Sequence, residues 1–470
     1  MGSAWFLVFF YFLLATVSSL AEFQENESAH KLSGIHLNIY HLRRHDSSVT
    51  PKSLQAIFSD ILATDEERIK ALHSRLANKK PDTATAASSS SSHQRKQGAA
   101  KPIGIPLNPG LSIGSGNYYV KVGLGSPVKY YSMIMDTGSS FSWLQCQPCT
   151  VYCYSQIDPL FDPSASKTYR KLSCSTSECS SIKEATLNDP FCQANSNTCI
   201  YTASYGDTSF SVGSLSQDLL TLTPSESLPR FIYGCGVDNQ GLFGRAAGIL
   251  GLAKDKLSML AQLSNKYGYA FSYCLPTAFP RSTRGGQGGF LSIGSTSLSP
   301  SSAYKFTPMI KNSFNPSLYF LSLTTITVAN KPLGVAAANY KVSTIIDSGT
   351  VITRLPAPVY AALRQAFVKI MSNKYAQAPA FSILDTCFKA SLGNASVVPQ
   401  IRLVFQGGAD LSLGAQNILI EADKGVVCLA FAPSSGTNQI AIIGNHQQQT
   451  FKVAYDVSNS RIGFAAGGCH

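Results

Sequence analysis

The chain carries one short pattern twice, and this repeat limits the folds open to it. SMIMDTGSSFSW (Ser132 to Trp143) and STIIDSGTVITRL (Ser343 to Leu355) each place an aspartate, Asp136 or Asp347, directly after an apolar run. Each pattern is later followed by two apolar residues and a glycine, in AGILGLA and AIIGNH. Because the order of these motifs is the same in both halves, the sequence predicts two structurally related lobes.

The rest of the chain reads as mostly β. Short runs rich in Val, Ile, Thr, Tyr and Phe are broken by Gly, Pro and Ser, which is typical of strands joined by turns. With 470 residues and 44% hydrophobic content, the chain is long enough for two lobes with a real core. The sequence therefore predicts an all-β, bilobal fold. Apolar spacing predicts two helices within it, over 256–268 and 359–375.

The first hundred residues differ from the remainder. The apolar stretch WFLVFFYFLLATV before small residues predicts a signal peptide over 1–21, with a membrane anchor as the alternative. Apolar residues then recur at helical spacing from Leu54 to Leu76, followed by a Ser-rich, basic linker. We interpret 22–100 as a propeptide; a small accessory domain is the alternative. The two lobes are then expected over 101–305 and 306–470.

All twelve cysteines follow residue 145. An even number behind a secretory signal predicts disulfides formed in an oxidising compartment. Zinc at Cys146, Cys149 and Cys153 is the competing reading, but no second ligand pair follows, so neither a metal nor a cofactor is expected. Asn26 and Asn394 lie in glycosylation sequons. The net charge of +12 would permit contact with a nucleic acid or another polyanion, or serve only solubility.

The two aspartates suggest acid–base chemistry. Gly138 permits a tight loop after Asp136, and Ser139 can donate to its carboxylate. One such loop alone would read as a turn or capping aspartate. If the lobes are related by a twofold axis, however, Asp136 and Asp347 face each other, and carboxylates about 3 Å apart share one proton. Such a pair can activate water and protonate a carbonyl oxygen. A glycosidase would need about 5 to 9.5 Å between its carboxylates.

These motifs resemble those of the pepsin-type (A1) aspartic proteases. DTGSS, DSGT, Trp143 and the segment YGDTSFSVG carry the resemblance over about 103–470. The cysteine-rich insert after Cys146 resembles the plant nepenthesin-like branch, and IPLNPGLSIGSGNYYVKVGLGSP resembles its chloroplast-nucleoid DNA-binding subgroup. The resemblance implies a deep cleft between two β lobes and endopeptidase activity on extended peptides.

The resemblance also implies roles for single residues. Asp136 and Asp347 match the catalytic pair, each within an Asp-x-Gly loop with Gly138 or Gly349. Ser139 and Thr350 match the hydroxyl residues that bond the carboxylates. Tyr205 matches the tyrosine of a flap that closes over the substrate, and Trp143 matches its hydrogen-bond partner.

The disulfide pairing is likewise only implied by the resemblance. The expected pairs are Cys146–Cys149, Cys153–Cys235, Cys174–Cys199, Cys179–Cys192, Cys274–Cys469 and Cys387–Cys428.

The sequence thus predicts a plant aspartic endopeptidase, made as a zymogen, that acts on peptides or proteins as a monomer without stable membrane insertion. It would be secreted to the apoplast or sent to the vacuole, with a plastid as the alternative. Two other functions remain open. One is a catalytically weak binding or inhibitor protein on the same fold, and the other is a protease that also binds DNA without sequence specificity.

Overall fold

Strands are the main regular elements of residues 103–293. The computed structural model describes residues 54–77, 103–109, 111, 115–205, 209–241, 243–277, 288–393, 395–434, 440–467 and 469. The expected signal peptide, the Ser-rich linker, Asn26 and Asn394 lie outside these residues. The elements up to residue 293 are helices α1 Leu54–Ala77, α2 Ser177–Thr186 and α3 Met259–Tyr267, and strands β1 Ile103–Pro109, β2 Tyr118–Leu124, β3 Lys129–Asp136, β4 Trp143–Gln145, β5 Tyr152–Cys153, β6 Arg170–Lys171, β7 Phe191–Cys192, β8 Cys199–Ser204, β9 Phe210–Thr223, β10 Glu226–Gln240, β11 Gly248–Gly251, β12 Ala270–Cys274 and β13 Gly289–Ile293.

The second half continues in the same manner. Its elements are helices α4 Ala357–Met371, α5 Ala415–Ile418 and α6 Asn445–Gln448, and strands β14 Lys305–Pro308, β15 Phe320–Leu321, β16 Leu323–Val328, β17 Lys331–Pro332, β18 Thr344–Ile346, β19 Thr353–Leu355, β20 Gln377–Ala378, β21 Cys387–Lys389, β22 Ile401–Phe405, β23 Asp410–Leu413, β24 Leu419–Asp423, β25 Val426–Leu429, β26 Phe431–Pro433, β27 Ala441–Ile443, β28 Lys452–Asp456 and β29 Arg461–Ala465. The all-β prediction is confirmed.

The same three-strand unit occurs once in each half. In the first, β3 runs parallel to β11, and β11 pairs antiparallel with β4. In the second, β18 runs parallel to β27, and β27 pairs antiparallel with β19. In both units the strand that leads into the aspartate lies beside the apolar-apolar-Gly element. The repeated sequence pattern therefore corresponds to a repeated structure, which places Asp136 and Asp347 at equivalent positions.

Strands from both halves join in one large sheet. Its main path runs β14-β29-β28-β12-β13-β1-β2-β3-β11-β4-β10-β9-β8-β7. Strands β15 to β27, in the second half, form three smaller sheets. The link between the halves is the antiparallel pair β12 and β28, from Ala270 opposite Asp456 to Cys274 opposite Lys452. The boundary expected at residue 305 stays a prediction, since this sheet continues across it.

The long N-terminal helix packs on the second half of the chain. Helix α1 covers the segment in which helical spacing was predicted. Its buried Ile61 and Leu62 join a cluster that contains Ile352, and its buried Ile69 joins another that contains Ile345. Each such apolar side chain contributes about 1.5–3 kcal/mol when it is fully buried. The apolar stripe of α1 thus holds the helix against β18, which leads into Asp347, and against the loop that follows Asp347.

The two helices predicted within the β body form with shifted ends. Helix α3 begins later than residue 256, because the Ser258 side chain accepts a hydrogen bond from Ala261 N and caps the helix there. Helix α4 begins directly after Pro356, earlier than predicted, and ends at Met371. In the part of the chain that the structure describes, no helix is both long and apolar enough to cross a membrane.

Four of the six expected disulfides are paired differently. The structure joins Cys146 to Cys235 and Cys149 to Cys153. The strand register explains this change. Cys235 lies opposite Leu144 in the β10–β4 ladder, and its Cα is 5.4 Å from that of Cys146. Cys153 lies opposite Asn239, four residues along β10 from Cys235, or about 13 Å, which is too far for a disulfide.

The cysteine-rich insert is also joined differently from expectation. Cys179 pairs with Cys199, and Cys174 pairs with Cys192. The buried face of α2 carries Cys179 onto β8, where Cys199 is fully buried, whereas Cys192 is exposed. Burial therefore matches the observed partners. The expected pairs Cys274–Cys469 and Cys387–Cys428 are both formed.

Candidate active site

Each aspartate lies in a loop that supplies donors to its carboxylate. Asp136 and Asp347 are fully buried. Gly138 N donates to Asp136 Oδ1 at 2.8 Å, and the Ser139 hydroxyl donates to Oδ2. Gly349 N donates to Asp347 Oδ1 at 3.0 Å. The remaining oxygen, Asp347 Oδ2, accepts from the Thr350 hydroxyl at 2.7 Å. Both loops therefore stabilise an ionised carboxylate in the same way.

The two loops hold each other in place. Ser348 N donates to the Thr137 hydroxyl oxygen at 2.9 Å, and Thr137 N donates to the Ser348 hydroxyl oxygen at 3.1 Å. This reciprocal pair of bonds connects the residues that directly follow the two aspartates. The relative position of the two carboxylates is therefore fixed by bonds between the backbone of each loop and a hydroxyl of the other.

Glycine is required on both sides of the pair. A Cβ at Gly138 would stand 2.9 Å from Asp347 Oδ1, and a Cβ at Gly349 would stand 2.4 Å from Asp136 Oδ1. The glycine of each loop thus faces the aspartate of the other loop. Any larger residue would push the two carboxylates apart.

A residue that the sequence reasoning missed bridges the two aspartates. Arg68 of α1 donates through Nη2 to Asp136 Oδ1 at 2.9 Å and to Asp347 Oδ2 at 3.0 Å. Its Nη1 adds a bond to Asp136 at 3.2 Å, and its Nε adds one to Asp347 at 3.3 Å. Its side chain is only 17% exposed. The guanidinium therefore bonds three of the four carboxylate oxygens of the pair.

A signal for this arrangement was present in the helical pattern. Counting from Ile61 and Leu62, the apolar stripe continues at Ile69, and positions 65 and 68 fall on the same face. Those positions hold Asp65 and Arg68. Charged residues within an apolar stripe indicate polar partners on the surface that the helix covers.

The electrostatics of the pair follow from burial and from Arg68. Burial raises the pKa of Asp136, but the charge of Arg68 and the bonds from Ser139 and Gly138 outweigh it and hold that pKa below its usual value. Burial also raises the pKa of Asp347; Arg68 lowers it and the charge of Asp136 raises it, which leaves it above its usual value. A proton held by the pair therefore belongs mainly to Asp347.

The expected flap residues lie beside the pair. Trp143 Nε1 donates to the Tyr205 hydroxyl oxygen at 2.7 Å. Phe243 packs edge-on against both rings, with centroids 5.0 Å and 5.6 Å away. Residues 206–208, which directly follow Tyr205, lie outside the described residues. Tyr205 and Phe243 line a cavity that Asp136, Gly349 and α1 also line.

Among the described residues, no group of three or more His, Cys, Asp or Glu side chains is placed to hold a metal ion.

The twin aspartate loops, the repeated three-strand units that carry them and the cavity beside them are typical of the two-lobed aspartic protease class. Residues 118–295 match the family model described as xylanase inhibitor N-terminal, and residues 318–466 match the model described as xylanase inhibitor C-terminal. An aspartyl protease family protein of Arabidopsis thaliana is 43% identical over 411 residues, which cover 87% of this chain and 82% of that protein. Aspartic proteinase nepenthesin-2 of Nepenthes gracilis is 37% identical over 364 residues, 76% of this chain and 78% of its own. The chain belongs to the plant branch of the pepsin-type aspartic protease family.

Solved structures agree on the fold. The crystal structure of edgp has a TM-score of 0.62 and 21% identity, and covers 78% of this chain and 94% of its own. Basic 7S globulin from soybean has a TM-score of 0.61 and 20% identity, with 77% and 96% covered. At such identities the likeness concerns the fold alone.

Proposed function

We propose that this chain is an aspartic endopeptidase made as a zymogen, with Asp136 and Asp347 as its catalytic pair. The observation that supports it most is the equivalent surroundings of the two buried carboxylates. Each has a backbone N–H and a hydroxyl donor, and each faces the glycine of the other loop. Relatives named as aspartic proteinases support the same chemistry at the level of the family.

The reaction follows from a pair that shares one proton. The ionised carboxylate accepts a proton from a water molecule whose oxygen attacks the peptide carbonyl carbon. The protonated carboxyl group donates its proton to the carbonyl oxygen, which gives a tetrahedral diol. The C–N bond then breaks as the amine nitrogen takes up the proton first removed from water, and one diol hydroxyl returns its proton to the other carboxylate, so that the pair again holds one proton. Tyr205 would close over the substrate from the flap, oriented by Trp143.

In the zymogen, α1 holds the site closed. A proton-sharing pair carries one net negative charge, and the guanidinium of Arg68 neutralises it where water and the peptide would bind. Removal of 22–100, the proposed propeptide, would expose the pair. The route is proposed to be secretory, since all twelve cysteines are paired in six disulfides, and such bonds persist in oxidising compartments.

A binding protein on the same scaffold is the second candidate, because both matching family models are described as halves of a xylanase inhibitor. Catalysis is favoured here, since both carboxylates and the hydroxyls of Ser139 and Thr350 are present and bonded as hydrolysis requires.

The test compares the processed chain, meaning the chain freed of residues 1–100, with its Asp136→Asn and Asp347→Asn variants on a denatured protein substrate at acidic pH. We expect each variant to lose about 10²–10⁴-fold in activity. Asp189→Asn, whose side chain is 74% exposed on the surface, is the matched control and should retain wild-type activity. Equal rates in wild type and both active-site variants would refute the proposal.

A further inference from the structure

An arginine next to the second aspartate loop is completely buried and has its charged partners on α1. The side chain of Arg354, in β19, is 0% exposed. Its Nη2 donates to Asp65 at 3.0 Å and to Glu66 at 3.2 Å. Its Nε and Nη1 are buried without a hydrogen-bond partner in the described structure. Among the described residues, the acidic partners of Arg354 therefore both lie on α1.

Two backbone amides complete the site around Asp65. Val351 N donates to Asp65 Oδ1 at 2.6 Å, and Ile352 N donates to Oδ2 at 3.2 Å. Asp65 is itself fully buried. Its carboxylate thus meets two N–H groups and a guanidinium, a set of donors suited to an anion. Every one of these donors belongs to the loop and strand that follow Asp347.

The backbone of Arg354 is held by strand pairing and does not depend on α1 for its position. Arg354 lies opposite Ile442 of β27 and beside Ala432 of β26. Strand pairing on both sides fixes its backbone. When α1 leaves, the guanidinium and the two backbone donors lose their anion, next to the cavity that Val351 lines. A guanidinium and two free N–H groups together attract a new negative partner.

The position along the cleft also suits a substrate side chain. Asp65 and Arg68 are three residues apart, and a helix rises 1.5 Å per residue, so these residues are separated by about 4.5 Å along the axis of α1. Arg68 bonds the proposed catalytic pair, so its position along α1 corresponds to that of the scissile bond. An extended peptide advances about 3.3 Å per residue, so the carboxylate site lies about one or two residues from the scissile bond.

We propose that Arg354, with Val351 N and Ile352 N, forms a substrate subsite for a carboxylate, and that Asp65 occupies it in the zymogen as a substrate mimic. The processed enzyme then prefers peptides with Asp or Glu at one position near the scissile bond. This inference rests on the proposed function and identifies Arg354 as a specificity-determining residue.

The experiment uses a peptide that the processed enzyme cleaves, with Asp, Asn or Ala at each of the two positions on either side of the scissile bond. At pH 5.5 a free aspartate is ionised, since its pKa is about 3.9. We expect kcat/KM for the Asp peptide to exceed that for the Asn peptide about 10- to 100-fold at one position, because a hydrogen bond to a charged group contributes more than a neutral one. In Arg354→Met this ratio should fall to about one. Arg364→Met, which removes a half-exposed arginine of α4, should keep the wild-type ratio.

A second measurement needs no substitution at Arg354, because that variant could fail to fold. In the wild type, the ratio of Asp to Asn peptide should fall towards one as the pH drops below about 4, where the substrate carboxylate takes up a proton. Because both peptides meet the same enzyme, its own titration cancels from the ratio.

The outcomes separate this proposal from the proposed function. Cleavage of Asp and Asn peptides at equal rates at every position would overturn the subsite and leave the protease intact. A wild type that cleaves no peptide would refute the protease. The subsite would then be tested by the affinities of the same peptides with a reduced, uncleavable bond, and equal affinity for Asp and Asn would overturn it. If Arg354→Met loses the docking of α1 while the wild type shows no preference for the Asp peptide, Arg354 serves only to anchor the helix.

Discussion

Arg68 donates to both carboxylate oxygens of Asp136, at 2.9 Å and 3.2 Å, although the two residues belong to segments 68 positions apart. The same guanidinium also bonds Asp347. One helical residue therefore neutralises the whole pair. Apolar residues of α1 pack the helix on the second half of the chain. The bonds of Arg68 place it over the carboxylates of Asp136 and Asp347.

Replacing Arg68 should release the site. In Arg68→Gln, the charge-assisted bonds to the pair are lost, and each such bond is worth about 1.5–3 kcal/mol. The full-length chain should then cleave a fluorogenic peptide, or process itself, about 10- to 100-fold faster than wild type at neutral pH. Lys70→Gln is the control, since Lys70 lies on the exposed side of α1 and its ammonium pairs with Glu67. An Arg68→Gln chain as inactive as wild type would show that α1 is not inhibitory.

Acid should loosen α1. Arg68 lowers the pKa of both Asp136 and Asp347 in the docked state. Once Arg68 leaves, burial and the neighbouring carboxylate raise both pKa values, so the undocked pair binds more protons. A group with a lower docked pKa favours docking at high pH, and this contribution is lost as the pH falls through the acidic range. Hydrogen-exchange protection of α1 amides should therefore fall between pH 7 and pH 4.

The sign of this effect can be checked in the full-length chain. Protection of α1 that rises on acidification would contradict the assignment.

The part of the fold that the sequence predicts is the part fixed by local pattern. The repeated Asp loops and the strand-like runs are spaced as each element requires, and the stripe from Ile61 to Leu72 has helical spacing. Arg68 could not be assigned a partner in this way, because its bonds span 68 and 279 positions. Such contacts depend on how α1 docks. The disulfide partners likewise depend on strand register, which the spacing of cysteines does not fix.

The hydroxyl at position 350 should tune the pair. Thr350 donates to Asp347 and lowers its pKa, because a hydrogen bond to the charged form favours that form. In Thr350→Ala the pKa of Asp347 should rise, and kcat of the processed enzyme should fall about 10-fold. The pH profile of kcat/KM should shift to higher pH. Thr350→Ser keeps the hydroxyl and should keep the profile; an unshifted profile in the alanine variant would contradict this role.

The bond between Trp143 and Tyr205 should position the flap. Trp143→Phe and Tyr205→Phe each remove it, and each should raise KM about 3- to 10-fold, since the lost neutral hydrogen bond is worth about 1 kcal/mol. If the bond is the shared cause, the double variant should be no worse than the more affected single variant. Additive losses would show that the two rings act independently. Thermal unfolding of all three variants separates this effect from the loss of the buried indole.

The disulfide pairing makes the last prediction, because each partner can be identified by removing the other. In Cys153→Ser the structure leaves Cys149 as the free thiol, whereas the pairing implied by family resemblance would leave Cys235. In Cys179→Ser it leaves Cys199 instead of Cys192. Alkylation of each unfolded, unreduced variant, followed by peptide mapping, identifies the thiol. We expect label on Cys149 and Cys199, because the β10 register holds Cys235 beside Cys146 and the insert buries Cys199 under α2. Label on Cys235 would mean that β5 pairs with β10 in another register.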